Sequence, residues 1–126
     1  MSVVFDASAV LTIAFAEDGA DVAIRDLEGA LMSSVNASEV VAKFIDRGSS
    51  PEEARIAFLK FNMKVRPFDQ QLAIAAGQMR AQTRTRGLSL GDRACLAFAS
   101  REGARVVTAD RSWKDVNLGV EITVIR

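Results

Sequence analysis

Short apolar runs alternate along the chain with longer stretches in which apolar residues recur every three or four positions, which predicts a repeating strand and helix order. Residues 2–5 (Ser-Val-Val-Phe) form the first run, ended by Asp6, and Ser8 opens an apolar helical segment reaching about Ala16. From Gly19 to Gly29, Val22, Ile24 and Leu27 are set among Asp21, Arg25, Asp26 and Glu28, the spacing of an amphipathic helix. A strand follows at about 31–34. Asn36 then reads as the cap of a helix carrying Val40, Val41, Phe44 and Ile45 and closed by Gly48. Ser50-Pro51-Glu52-Glu53 combines a cap, a first-turn proline and a glutamate at the third helical position, so a helix starts there and runs to about Asn62.

Lys64 to Phe68 is a brief strand, and Asp69 caps a long helix expected to continue to about Thr85, before Gly87. Gly91 to Gly103 predicts a further helix, apolar nearly all round from Ala94 to Ala99 and therefore deeply buried. Arg105 to Ala109 and Ile122 to Ile125 are strands separated by an irregular stretch around Trp113. Short apolar strands alternating with helices indicate an α/β fold, a parallel sheet with helices on both faces. With no repeat, linker or low-complexity tract, one domain over residues 1–126 is the economical reading.

Composition narrows the chemistry. The 126 residues hold 16 Lys or Arg against 16 Asp or Glu, no His, no Tyr and one cysteine, Cys95. Without histidine there is no Ser-His-Asp or Cys-His nucleophile system and no HExxH zinc site, and one thiol cannot complete a thiolate site or an internal disulfide. Hydrolysis would have to rest on carboxylates, together with a hard cation that prefers oxygen ligands. No apolar run approaches the length of a membrane span and Asp6 interrupts the apolar start, so a soluble, cytoplasmic protein without membrane association is expected.

In a parallel sheet, functional groups gather beyond the carboxyl ends of the strands. Asp6 ends the first strand and Asp110 the fourth, while Glu39 and Asp92 fall in the first turns of the helices after the second strand and before the fourth. All four should face one rim. Taken singly each could be a helix cap, because free N–H groups and the helix dipole favour acids there. Asn36 with Glu39, and Ser89 with Asp92, even have capping-box spacing, and Asp69 is read purely as a cap. A carboxylate at the end of a buried strand, however, meets desolvation and the repulsion of its neighbours unless a cation neutralises it. Magnesium or manganese suits such a rim.

These segments resemble a known family. Val4-Phe5-Asp6-Ala7-Ser8-Ala9 is similar to its opening D-x-S motif and Ser38-Glu39-Val40 to its central glutamate. Leu88 to Ala97 (Leu-Ser-Leu-Gly-Asp-Arg-Ala-Cys-Leu-Ala) and Val107-Thr108-Ala109-Asp110-Arg111-Ser112-Trp113 resemble its two later acidic segments. The family is the PIN domain, in the form of bacterial VapC-type toxins of toxin–antitoxin pairs. The resemblance implies a three-layer α/β/α fold with strand order 3-2-1-4-5 and a metal-dependent endoribonuclease leaving 5′-phosphate and 3′-hydroxyl ends. It implies that Asp6, Asp92 and Asp110 hold Mg2+ or Mn2+, that Glu39 completes the catalytic pocket directly or through water, and that Ser8 and Thr108 orient these groups. Implied partners are an RNA substrate and a cognate VapB-type antitoxin packing on the helix from Ala54 to Asn62; a homodimer is also expected. Other readings are a PIN-fold nuclease of RNA processing without a toxin role, and a non-catalytic domain that binds RNA or a partner.

Further features have plainer readings. Gly87-Leu88-Ser89-Leu90-Gly91 matches a nucleophile elbow, but no strand precedes it and no histidine exists, so Ser89 is read as a cap. Cys95 is read as a small buried hydrophobe and Trp113 as a loop anchor. Six arginines between Arg80 and Arg105 face only Asp92 and Glu102, a local excess of four positive charges. Among them, Arg80, Arg84 and Arg86 are candidate RNA-binding residues.

Overall fold

The computed structural model describes residues 2–126. The elements follow the order β1 (Val3–Phe5), α1 (Ala7–Ala14), α2 (Ala20–Ile24), β2 (Leu31–Ser33), α3 (Ser34–Asp46), α4 (Pro51–Leu59), β3 (Lys64–Arg66), α5 (Gln70–Gln78), α6 (Arg80–Thr83), α7 (Leu90–Glu102), β4 (Arg105–Thr108) and β5 (Ile122–Val124), with a 3-10 turn at Arg111–Asp115. All strand pairs are parallel and the sheet order is β3-β2-β1-β4-β5. Both the strand order and the parallel sheet match the expectation.

Side chains of a strand point alternately to the two faces of its sheet, and the pairing of β1 with β4 shows the consequence. Val4 and Val106 are partners and pack with Leu72, Cys95, Leu96, Phe98 and Trp113 under α5 and α7. Phe5 and Val107, the next partners, pack with Ala9, Val10, Met32, Val40 and Phe44 under α1 and α3. Three layers result, α/β/α, with a core on each face. The middle strand β1, Val-Val-Phe, is apolar throughout because both of its faces are covered.

Several local expectations change. Ser33, not Asn36, caps α3, its side chain accepting from the N–H of Val35. Asn36 instead lies inside the helix and is buried. Asp6 rather than Ser8 caps α1. The helix expected from Asp69 to Thr85 is broken at Met79 into α5 and α6, and the amphipathic helix read from Gly19 to Gly29 is one short turn of helix followed by turns. Neither α6 nor α2 carries a side-chain cap that would strengthen it. Ser50 with Glu53, and Ser89 with Asp92, do form capping boxes, and Asp69 caps α5 through the N–H of Leu72. Gly103 ends α7 in the left-handed conformation, φ 61°, that glycine adopts without strain. Among the described residues no helix is long and apolar enough to cross a membrane.

Candidate functional site

The sheet order reverses direction at β1, since the chain moves outward through β2 and β3 and then returns to place β4 on the other side of β1. A crevice opens beyond the carboxyl ends of strands at such a reversal. Asp6 and Asp110 flank it, each just past the end of one of the two strands.

Asp6 is only 6% exposed and receives three hydrogen bonds. Ser8 Oγ donates to Oδ1 at 2.7 Å, the N–H of Ala9 donates to Oδ1 at 2.9 Å, and Thr108 Oγ1 donates to Oδ2 at 2.6 Å. The direction of both hydroxyl bonds is set by their other partners: Ser8 Oγ accepts from the N–H of Ala109 and Thr108 Oγ1 from the N–H of Asp110, so each hydroxyl proton is free for the carboxylate. Burial nevertheless pushes the Asp6 carboxyl up from 3.8 to about 6; the bonds from Thr108, Ser8 and Ala9 hold it down, and the charge of Asp92 adds to the rise.

Around Asp6 a pocket of about 240 Å³ is lined also by Ser8, Asn36, Glu39, Lys43, Asp92 and Asp110. The fold therefore brings all four predicted acids to one cavity, with Thr108 buried behind Asp6. Each acid has a local partner. Asp92 Oδ2 accepts from the N–H of Ser89 at 3.0 Å, Asp110 Oδ1 accepts from the N–H and Oγ of Ser112, and Glu39 Oε1 accepts from Asn36 Nδ2 at 2.8 Å. Like charges turned toward such donors stay apart, and among the described residues no group of three acids converges closely enough to share one cation as it stands. The same acids press on the buried Cys95 thiol, which burial first, then Asp6, Asp92 and Glu39, raises well above its ordinary range. An inert thiol follows.

Three residues were not singled out for the site by the sequence. Asn36 donates through Nδ2 to Glu39 and, at 3.0 Å, to the carbonyl of Gly91. Gly91, in the first turn of α7, lets that helix approach Glu39: a Cβ there would fall within 2.6 Å of Oε1. Lys43 lines the pocket one turn beyond Glu39 on α3. Only Lys43 had a usable signal, its spacing of four from Glu39. Arg80, Arg84 and Arg86 are exposed, and none lines the acidic pocket. Trp113 is fully buried in the core under α7, which leaves no face for a base to stack on.

A second cavity, about 540 Å³, is lined by Phe15, Leu27, Phe44, Ala57 and Phe61 where α4 meets α1 and α3. Ile56 and Leu59, on the same helix but outside the cavity lining, are 44% and 58% exposed. The wide apolar face of this helix is thus only partly used by the core.

The fold occurs in known structures. Similar ones include a chain of the DNA-bound VapBC complex from Salmonella typhimurium (21% identity, TM-score 0.76, covering 100% of this chain and 99% of that one). A toxin–antitoxin complex from Klebsiella pneumoniae gives 14% identity and TM-score 0.78, covering 99% and 98% of the two chains. VapBC2 from Rickettsia felis bound to a promoter DNA fragment gives 16% and 0.76, covering 98% of each. No curated protein sequence matches the chain. The PIN domain family model matches residues 3–118, which takes in β1 through β4 and all four pocket acids, and the chain belongs to the PIN domain family.

Proposed function

We propose that the chain is a Mg2+- or Mn2+-dependent endoribonuclease of the VapC type, the toxin of a toxin–antitoxin pair. The observation that carries the reading is the buried Asp6 carboxylate, held by Ser8 and Thr108 at the wall of a pocket with Glu39, Asp92 and Asp110. The donor set fits the cation: every acidic ligand is oxygen, and Asp6, raised to about 6, has the environment of a carboxylate that a positive charge would keep ionised. Asn36, whose Oδ1 is buried without a partner among the described residues, also lines the pocket. Asp6, Asp92 and Asp110 would hold the ion, Asp92 and Asp110 turning to it from Ser89 and Ser112, with Glu39 acting directly or through water. When bound, such a cation offsets the charge of the phosphodiester and makes water a stronger nucleophile. The protein's part is to keep Asp6 fixed through two hydroxyls, to hold Glu39 through Asn36, and to fix Asp110 at the head of the 3-10 turn.

The partners proposed are RNA, a VapB-type antitoxin and a second copy of the chain. The apolar cavity beside α4 supports the antitoxin, because it offers apolar surface on a helix that also exposes Ile56 and Leu59. The toxin–antitoxin complexes among the similar structures support it too. Incubating the purified chain with total RNA and mapping 5′ ends tests the reading. Cleavage is expected with magnesium or manganese and not with EDTA, and it should be lost in Asp92→Asn and Asp110→Asn but kept in Asp69→Asn, a cap paired with Arg101 outside the pocket. Equal cleavage by all these variants would remove the metal-site reading.

A further inference from the structure

We propose that a cavity adjoining the acidic pocket is a subsite for a backbone phosphate of the RNA, next along the strand from the one at the acids. The inference rests on the ribonuclease reading and adds where the substrate lies. The cavity measures about 220 Å³ and shares Ser8, Leu11 and Lys43 with the acidic pocket, so the two are neighbours across one wall. Its charge is opposite. Lys43, Arg47 and Arg126 line it against a single acid, Glu17, whereas four acids line the pocket beside it.

Basic residues at a helix C-terminus often serve only the helix dipole, and Lys43 and Arg47 do lie at the end of α3. Two features go beyond that. Arg126 comes from the far end of the chain yet reaches the same cavity, where Nη2 donates to Thr12 Oγ1 and to Glu17 Oε1, each at 3.2 Å, and Nε donates to the carbonyl of Asp18. Arg47 stacks over the ring of Phe15 at 4.1 Å with Nη2 3.8 Å from Glu17 Oε2. Glu17 thus holds two guanidinium groups in place while cancelling one charge, and planar guanidinium groups fixed in this way suit a phosphate. Second, Lys43 lines a pocket with four acids and forms no ion pair with any of them, among the described residues. Its ammonium is available to a ligand. An acidic rim repels a polyanion unless positive charge offsets it, and this cavity supplies cationic side chains across a wall it shares with that rim.

The test measures binding without cleavage, in the full chain carrying Asp92→Asn. A fluorescein-labelled pool of random single-stranded RNA oligonucleotides is titrated by anisotropy over a range of potassium chloride. For a single strand, each phosphate that a cationic side chain no longer neutralises lowers the slope of log affinity against log salt by roughly 0.7. Lys43→Gln and Arg47→Gln should each lower the slope by about that amount, and Lys43→Arg should restore it. The triple change of Arg80, Arg84 and Arg86 to Gln, residues outside both cavities, reads the rival arrangement in which those arginines hold the phosphates. An unchanged slope in both single variants, or a fall only in the triple variant, overturns the subsite. Both single changes are at exposed positions, and thermal melting checks that each variant is folded. If the Asp92→Asn parent binds no RNA while its fold is intact, the ribonuclease reading itself fails, a result distinct from loss of the subsite alone.

Discussion

Asn36 and Glu39, one turn apart on α3, are joined by a 2.8 Å hydrogen bond from Nδ2 to Oε1. Nδ2 also donates to the carbonyl of Gly91, so both neighbours of the amide nitrogen are acceptors and its orientation is determined. The oxygen pays for this arrangement: Oδ1 is buried with no partner among the described residues. An unpaired buried acceptor costs about 1–3 kcal/mol, which a core position chosen for stability alone would avoid. The amide fits a role in aiming Glu39 into the pocket.

Asn36→Leu separates the two roles, since leucine nearly matches asparagine in shape and removes both polar atoms. A carbonyl in the first turn of a helix already accepts the N–H four residues on, so Gly91 is not orphaned. Stability should hold or rise by about 1 kcal/mol, because the unpaired oxygen is gone. Affinity for manganese, measured by calorimetry, should fall about 10-fold or more as Glu39 is released. Lower stability with parental manganese affinity would mark Asn36 as structural only.

Gly91→Ala perturbs the same carboxylate from the other side. Replacing glycine inside a helix ordinarily stabilises it by about 0.5–1 kcal/mol. Here the added Cβ would meet the Glu39 carboxylate, within 2.6 Å of Oε1, and that side chain is exposed enough to swing away. The variant should therefore melt within a few degrees of the parent while RNA cleavage drops at least about 10-fold. Full activity would show that Glu39 need not stay against α7.

Asp6 makes stability depend on pH in a direction opposite to that of a salt-bridged acid. Burial raises its carboxyl to about 6 from 3.8, so the folded chain binds the proton more tightly than the unfolded one. Stability is fully present below about pH 4, falls as pH rises toward 6, and stays lowered by about 3 kcal/mol above that window. Asp6→Asn lacks this titration and keeps an oxygen for Ser8 and the N–H of Ala9. In urea denaturation without divalent cations it should exceed the parent at pH 7 by about 1–3 kcal/mol and match it near pH 4. Parallel profiles for the two chains would contradict the burial argument.

The parts of this fold that could be read from the sequence are those dictated by local physics. Val4 to Asp6 and Val106 to Asp110 are legible because a buried parallel strand is a short, mostly apolar run that ends in something polar, and Ser50 and Ser89 because capping chemistry lies within four residues. Asn36 is not, for the same residue types serve as caps and as buried hydrogen-bond bridges, and only the distant Gly91 decides between them. The break at Met79 and the cavity shared by Lys43, Arg47 and Arg126 likewise depend on where separate segments meet, which no local pattern carries.

Proton and cation should compete for the acidic pocket, and that competition gives the most direct test of the metal reading. A ligand bound only by the folded state adds about 2.7 kcal/mol at 100 times its dissociation constant, so magnesium or manganese should raise the melting temperature by several degrees. With Asp6 raised to about 6, the pocket at pH 5 is largely protonated at its buried carboxyl and must lose that proton to accept a cation. The rise in melting temperature should therefore be small at pH 5 and grow toward pH 7.5. Asp92→Asn should reduce the rise at both pH values, and Asp69→Asn, whose carboxylate is occupied by Arg101 and the N–H of Leu72, should retain it. Differential scanning calorimetry in EDTA and in millimolar manganese reads all of these together. A cation effect that is equal at both pH values and in both variants would mean that the ion binds elsewhere on the protein and that Asp6 and Asp92 do not hold it.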